Sequence, residues 1–205
     1  MLSSIEEAIQ DFKNGKFLVV LDDETRENEG DLIIAGANLT TEQMAFLVRH
    51  SSGYVCVPMT GERLNELDIP MMVEHNEERM RTAYAVTVDF TEGVTTGISA
   101  HDRALTTRQL ANPQLKNPKA FNRPGHVVPL RAREGGVLAR DGHTEAAVDL
   151  CKLAGLPPAA AICELVRDED GLMSRFDDCA RFCSQWGIKM ITIKSLIEYI
   201  KEHPF

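Results

Sequence analysis

Residues 22–31 read Asp-Asp-Glu-Thr-Arg-Glu-Asn-Glu-Gly-Asp, so six carboxylates and one arginine follow directly on the apolar run Phe-Leu-Val-Val-Leu at 17–21. A β-branched and apolar run of that length predicts a buried strand, which places the charges at the end of a sheet, where α/β proteins build sites. Like charges massed there repel one another unless a cation holds them. One plainer explanation stands beside a metal site. A solvated acidic turn is the commonest fate of such a run. An EF-hand loop would need D-x-[DN]-x-[DN]-G spacing and a second helix-loop-helix unit, and neither occurs.

A second group lies at Arg140-Asp141-Gly142-His143-Thr144. These residues are expected at a strand-to-helix junction, where free backbone N–H groups and the helix dipole attract anions and Arg140 adds a positive fork. The group therefore reads as a phosphate cradle; the simpler use of Thr144 is as an N-cap and of Gly142 as a turn residue. His143 stands where its imidazole could reach a metal at the acidic loop. One carboxylate, one imidazole and several water or substrate oxygens suit Mg²⁺ or Mn²⁺ better than Zn²⁺. Glu164 interrupts the apolar run 159–166, where burial would suit it to proton transfer. The alternative is the solvent face of an edge strand. His126 opens a predicted strand after Arg123-Pro124-Gly125; alone, such a histidine is usually structural.

The positioning elements alternate. A capping box, Ser4-Ile5-Glu6-Glu7, starts a helix whose apolar positions Ile5, Ala8, Ile9 and Phe12 have helical spacing and which Gly15 ends. Strands are predicted at 17–21, 32–37, 53–59, 82–90, 126–132, 160–166 and 189–193. Helices are predicted after Thr40, from Ala100, from residue 143 to Leu153, around 174–186 and up to Glu202. The prolines and asparagines of 112–124 predict a surface loop, and with the polar stretch 68–81 it forms a candidate lid. Glu74, His75, Glu77, Glu78, Arg79 and Arg81 have no ligand spacing and read as solvated surface. The expected outcome is an α/β (α+β) fold, a layered α/β/α sandwich on a mixed sheet, as a single domain over 1–205.

Bulk properties narrow the function. With 205 residues, 43% hydrophobic and 26% charged, the chain has the composition of a soluble globular protein, with no apolar stretch near the roughly 18 residues of a membrane span. The acidic N-terminus lacks a secretory pattern, which points to the cytoplasm. Five cysteines with no CxxC pair argue against a disulfide framework and a structural zinc site. A net charge of −9 disfavours nucleic acid and anionic membrane as partners. Against that trend, residues 123–140 hold four arginines and one acid, suited to a small anionic ligand.

Four stretches together resemble the 3,4-dihydroxy-2-butanone 4-phosphate synthase family: Asp-Asp-Glu-x-Arg-Glu-Asn-Glu-Gly-Asp at 22–31, Gly-Val-Thr-Thr-Gly-Ile-Ser-Ala-x-Asp-Arg at 93–103, Arg-Pro-Gly-His-Val at 123–127, and Arg-x-Gly-His-Thr-Glu-Ala-Ala-Val-Asp-Leu at 140–150. They occur in the family's order and span essentially the whole chain. In some relatives this unit is fused to a zinc-dependent GTP cyclohydrolase II domain. The cysteine clusters of such a domain are missing here, and a single-activity protein is expected.

The resemblance implies a riboflavin-pathway lyase that converts D-ribulose 5-phosphate to L-3,4-dihydroxy-2-butanone 4-phosphate and formate with Mg²⁺ or Mn²⁺. It implies Glu27 and His143 as metal ligands. Arg26, Asp31 and the loop Arg140, Asp141, Gly142, His143 and Thr144 would contact substrate, with Arg140 and Thr144 at the phosphate. His126 and Glu164 match positions the family needs for activity, and the strand holding Cys56 lies near substrate; a buried small hydrophobe is the alternative for that thiol. Asp22, Asp23, Glu29, Asp31, His126 and Glu164 form the pool of proton-transfer and substrate-binding groups. Thr95, Thr96, Ser99, Asp102 and Arg103 could meet sugar or phosphate oxygens, although Ser99 also suits the cap of the helix from Ala100. The family implies a homodimer with shared active sites. Two rivals remain: a metal-dependent pentose-phosphate isomerase or aldolase, which would release no formate, and a non-catalytic sugar-phosphate binding protein.

Overall fold

The apolar run before the acidic loop forms strand β1 (Leu18–Leu21), an inner strand whose every residue is buried because helices cover both faces of the sheet. It runs antiparallel to β2 (Gly30–Ala35) and parallel to β7 (Lys189–Thr192). The computed structural model describes residues 2–204. Adding β3 (Cys56–Thr60), β4 (Val88–Phe90), β5 (Phe121–Ala132) and β6 (Ala160–Glu164) gives a seven-stranded mixed sheet in the order β4-β5-β3-β6-β2-β1-β7.

Side-chain alternation divides the strands between two faces. On one face Leu18, Val20, Ile33, Cys56, Val128 and Ile162 pack under α1 (Ile5–Lys13), α5 (His143–Leu153) and α7 (Ile193–Glu202). On the other, Val19, Leu32, Ile34 and Cys163 meet α2 (Thr41–Arg49), α4 (Ala100–Ala111) and α6 (Phe176–Trp186). The short α3 (Gly61–Glu66) closes a third cluster through Leu64, against Val57, Met59 and Val88. This is the layered α/β/α arrangement on a mixed sheet that the alternating pattern predicts. Ser4 caps α1 by accepting from the Glu7 amide, and Thr40 with Gln43 forms the capping box of α2. No helix among the described residues is long and apolar enough to cross a membrane.

The structure departs from the sequence reading in several places, one being the unpredicted helix α3. Only 88–90 of the predicted strand 82–90 joins the sheet as a strand. Tyr84 and Ala85 make only isolated bridges, to Leu130 and Met71, and within β4 itself the register against β5 shifts between Val88 and Asp89. The loop expected over 112–124 stops at residue 120, and β5 begins at Phe121 rather than His126, because Phe121 and Asn122 pair with Phe90 and Asp89. Pro124, which argues against a strand in the sequence, sits inside β5 together with Pro129 of the predicted strand. Asp31 belongs to strand β2 and is buried there, so only residues 22–29 form the acidic loop. As the sequence predicts, β5 ends at Ala132 and α5 begins at His143, and the glycine turn between them is a 3-10 turn at Gly136–Leu138. Gly142, not Thr144, is the N-cap of α5.

Candidate active site

Sheet register brings the distant carboxylates together. Asp31 on β2 lies directly opposite Glu164 on β6, and Ile33 lies opposite Ile162. Cys56 pairs with both Ile162 and Val128, so Ile33, Ile162, Cys56 and Val128 form an apolar row on the face that α5 covers. Two residues further along, the next row of positions on that face is polar: Asp31, Glu164 and His126 in their strands and Tyr54 just before β3. Glu164 is thus the last residue of a strand inside the sheet, between β3 and β2, and not on an edge.

His143, the first residue of α5, covers this row and is buried. Its Nε2 lies 3.0 Å from the Val20 carbonyl, which only accepts, so the proton sits on Nε2. Nδ1 then faces the acids, 3.5 Å from Glu27 Oε2 and 3.7 Å from Asp31 Oδ1. Although burial favours the neutral ring, the Asp31, Glu27 and Asp22 charges raise the His143 pKa above the ordinary histidine value.

The acidic loop is organised from inside by Asp22. Its Oδ1 accepts from the Glu29 amide at 2.8 Å, and its Oδ2 accepts from the Glu27 amide at 3.0 Å and from Arg26 Nη1 at 2.8 Å. Arg26 also pairs with the Glu27 carboxylate and stands 3.9 Å from Asp141 Oδ1. Arg175 of the β6–α6 segment donates to the carbonyls of Glu27 and Asn28, which ties the loop to α6. Burial works against the charge on Glu27, yet His143 and Arg26 hold its pKa down to about 2. Burial, followed by the Glu27 and Glu164 charges, raises Glu29. Asp31 is raised well above the carboxylate range by burial, with Glu164, Glu27 and Glu29 adding to the effect and His143 opposing it.

This donor set fits a hard divalent cation. Asp22, Glu27 and His143 each offer one ligand atom, all within 4.8 Å of one another. Beside them Asp31 Oδ1 is buried with no hydrogen-bond partner, a costly position for an oxygen unless a ligand completes it. Oxygen-rich donors with one imidazole match magnesium or manganese chemistry.

Arg140 borders the cluster. Its Nη1 donates to Glu145 Oε2 at 2.7 Å, and its Nη2 donates to the Met80 carbonyl and to Thr82 Oγ1, each at 3.1 Å. The polar run 74–81 is therefore not wholly solvated surface. Glu78 accepts from the amides of Met80 and Thr82 and shapes the segment that meets Arg140. Gly142 has no room for a side chain, since a Cβ would stand 2.1 Å from Arg140 Nη1 and 3.0 Å from Arg26 Nη2. Thr144 is buried in the first turn of α5. Asp141 is open to solvent on its side chain.

His126 sits at the other end of the polar row, where Asp89 receives both its amide (2.8 Å) and its Nδ1 (2.6 Å). Gly97 packs on the pair: a Cβ there would lie 2.0 Å from Asp89 Oδ2 and 2.6 Å from His126 Nδ1. In the same stretch Asp102 gathers the Thr95 amide and hydroxyl and the Gly97 amide, and Ser99 caps α4. Thr95, Ser99 and Asp102 thus shape the turn that supports His126. Arg103 Nη1 donates to the Gly53 carbonyl. Cys56 is buried one row below Glu164, and burial raises its thiol pKa well above the ordinary value. Sequence reasoning missed Asp89, Glu145 and Ser52. An acid between Val88 and Phe90 in a strand pattern was the available signal for Asp89; the other two become visible only with the fold.

Comparison with known proteins gives the family. A model of the 3,4-dihydroxy-2-butanone 4-phosphate synthase family matches residues 6–199. The chain is 80% identical over 201 residues to the 3,4-dihydroxy-2-butanone 4-phosphate synthase of Schizosaccharomyces pombe, covering 98% of each chain, and 61% identical to that of Candida albicans, again covering 98% of each. A crystal structure of a 3,4-dihydroxy-2-butanone 4-phosphate synthase in complex with two magnesium ions superposes with a TM-score of 0.94 at 52% identity, covering 98% of both chains. A sheet that sets Asp31 against Glu164 under His143, and these likenesses over nearly the full length, have one reading: the chain belongs to the 3,4-dihydroxy-2-butanone 4-phosphate synthase family.

Proposed function

We propose that this chain is a lyase that converts D-ribulose 5-phosphate to L-3,4-dihydroxy-2-butanone 4-phosphate and formate, the four-carbon supply for riboflavin biosynthesis. The observation that carries the reading is the buried, unpartnered Asp31 oxygen facing His143 Nδ1 beside Glu27, within a site flanked by Arg26 and Arg140. Glu27 and His143 hold Mg²⁺ or Mn²⁺, with Asp22 framing the loop that presents Glu27. When bound, such an ion supplies positive charge that stabilises negative charge developing on neighbouring substrate oxygens.

The chain's own groups do the rest. Arg140, with Thr144 behind it, binds the phosphate, and Arg26, Asp141 and the Gly142 turn orient the sugar. Removal of the C1 proton needs a base; loss of the C3 hydroxyl needs an acid; the skeletal shift, hydration and expulsion of C4 as formate need further transfers. Asp31 and Glu164, side by side on adjacent strands, and Glu29 and His126 form the set that carries these protons. Cys56 lines the floor beneath them.

A single synthase domain over 1–205 is supported by one sheet that draws strands from Leu18 to Thr192. We place the enzyme in the cytoplasm, in line with its five free cysteines, and as a homodimer with shared sites. Exposed apolar Tyr54, Met72, Val73 and Ile98 support that assembly: Tyr54 contacts Tyr84, whose carbonyl receives the Met72 amide, and Ile98 follows Gly97, which packs on His126.

The deciding experiment is formate release from ribulose 5-phosphate with Mg²⁺ against a chelator control. Stoichiometric formate that disappears with the metal is expected. Consumption of substrate without formate would favour the isomerase or aldolase reading, and binding without turnover would favour a carrier.

A further inference from the structure

We propose that Ser52 is a positioning residue for Glu164. The inference rests on the proton-transfer role given to Glu164 above and adds the group that aims it. Ser52 grips Glu164 twice: its amide donates to the Glu164 carbonyl at 2.8 Å, and its hydroxyl donates to Oε2 at 2.7 Å. The hydroxyl is itself oriented, because its oxygen accepts from the Tyr54 amide at 3.2 Å, leaving its one proton for the carboxylate.

Glu164 needs such an anchor. It ends its strand opposite Asp31, and its charge bears on Asp31 and Glu29, so repulsion drives the side chain away from the reacting position. A glutamate with free side-chain torsions at a strand end would spread over several rotamers. The bond from Ser52 selects one and leaves Oε1 for substrate. The turn bearing Ser52 is itself fixed from behind by Arg103, a buried guanidinium of α4 that donates to the Gly53 carbonyl at 3.1 Å. This gives the end of the 93–103 motif a role in placing Glu164 through the turn.

The test uses Ser52→Ala, Ser52→Cys and Ser52→Thr in the full chain, with Glu164→Gln as reference, reading formate release, magnesium affinity and thermal midpoint. Loss of one hydrogen bond to a charged group lowers kcat about tenfold in Ser52→Ala and Ser52→Cys. KM and magnesium affinity stay within about twofold, since phosphate and metal ligands are untouched, and Ser52→Thr restores most of kcat. Cysteine keeps the size of serine with a weak donor, so its loss would arise without a packing defect. An unchanged kcat in Ser52→Ala and Ser52→Cys overturns the proposal while an inactive Glu164→Gln leaves the role of Glu164 standing. Full activity in Glu164→Gln sinks both.

Discussion

Asp89 receives both the backbone amide and the ring Nδ1 of His126, at 2.8 and 2.6 Å. A carboxylate accepts only, so Nδ1 carries the proton and Nε2 is left on the partly open side of the ring. Gly97 leaves just enough space for the pair. Asp89→Asn keeps the size but offers an amide that can turn its NH₂ toward the ring and reverse the tautomer. A loss of kcat of the order of 10²-fold is expected, with KM little changed. Steady-state formate release checks it, and a variant within twofold of the parent would remove His126 from the proton-transfer set.

Removing a metal ligand should separate ion binding from folding. Glu27→Gln keeps the contacts of the loop backbone to Asp22, and His143→Ala leaves α5 intact behind its Gly142 cap. Calorimetric titration of chelator-treated protein with Mg²⁺ should show at least about tenfold weaker binding in either variant, because even loss of an outer-shell partner has that effect. Far-UV circular dichroism should not change. Undiminished magnesium binding in both would refute the assignment.

How much of this was legible beforehand follows from which interactions are local. Helix starts such as Thr40 with Gln43, and the buried strand before the acidic loop, depend on neighbours a few residues apart and could be read directly. The pairing of Asp31 with Glu164 depends on β2 lying beside β6, a contact between distant parts of the chain that no local period encodes. Motif resemblance named Glu27, His143, His126, Glu164 and Arg140, but not the residues that hold three of them: Asp89 for His126, Ser52 for Glu164 and Glu145 for Arg140. The sequence reading starts β5 at His126 because Pro124 and its neighbours speak for a loop, and only the pairing of Phe121 with Phe90 shows that the ladder extends further.

Asp102 should make stability depend on acid. Burial opposes its charge, but hydrogen bonds from His101, Thr95 and Gly97 hold its pKa below the ordinary carboxylate value in the folded protein. The unfolded chain therefore takes up the proton first as pH falls, so the stabilisation is complete above about pH 4 and is lost progressively below it. Asp102→Asn should be less stable than the parent in urea at pH 7, and the gap should narrow at pH 3. A gap independent of pH would show that packing, not charge, is what Asp102 contributes.

Gly142→Ala should injure substrate binding while sparing the fold. The backbone at Gly142 is extended, which alanine adopts without strain, so α5 still forms. The added Cβ nonetheless falls 2.1 Å from Arg140 Nη1, and the guanidinium, the movable partner, must swing away from Glu145 and the Met80 carbonyl. A displaced fork loses its paired hydrogen bonds to a phosphate. KM for ribulose 5-phosphate is expected to rise about tenfold or more, by the 1.4 kcal/mol per decade of binding, with a thermal midpoint close to that of the parent. Kinetics paired with thermal unfolding decide it: an unchanged KM in a folded variant would detach Arg140 from the phosphate.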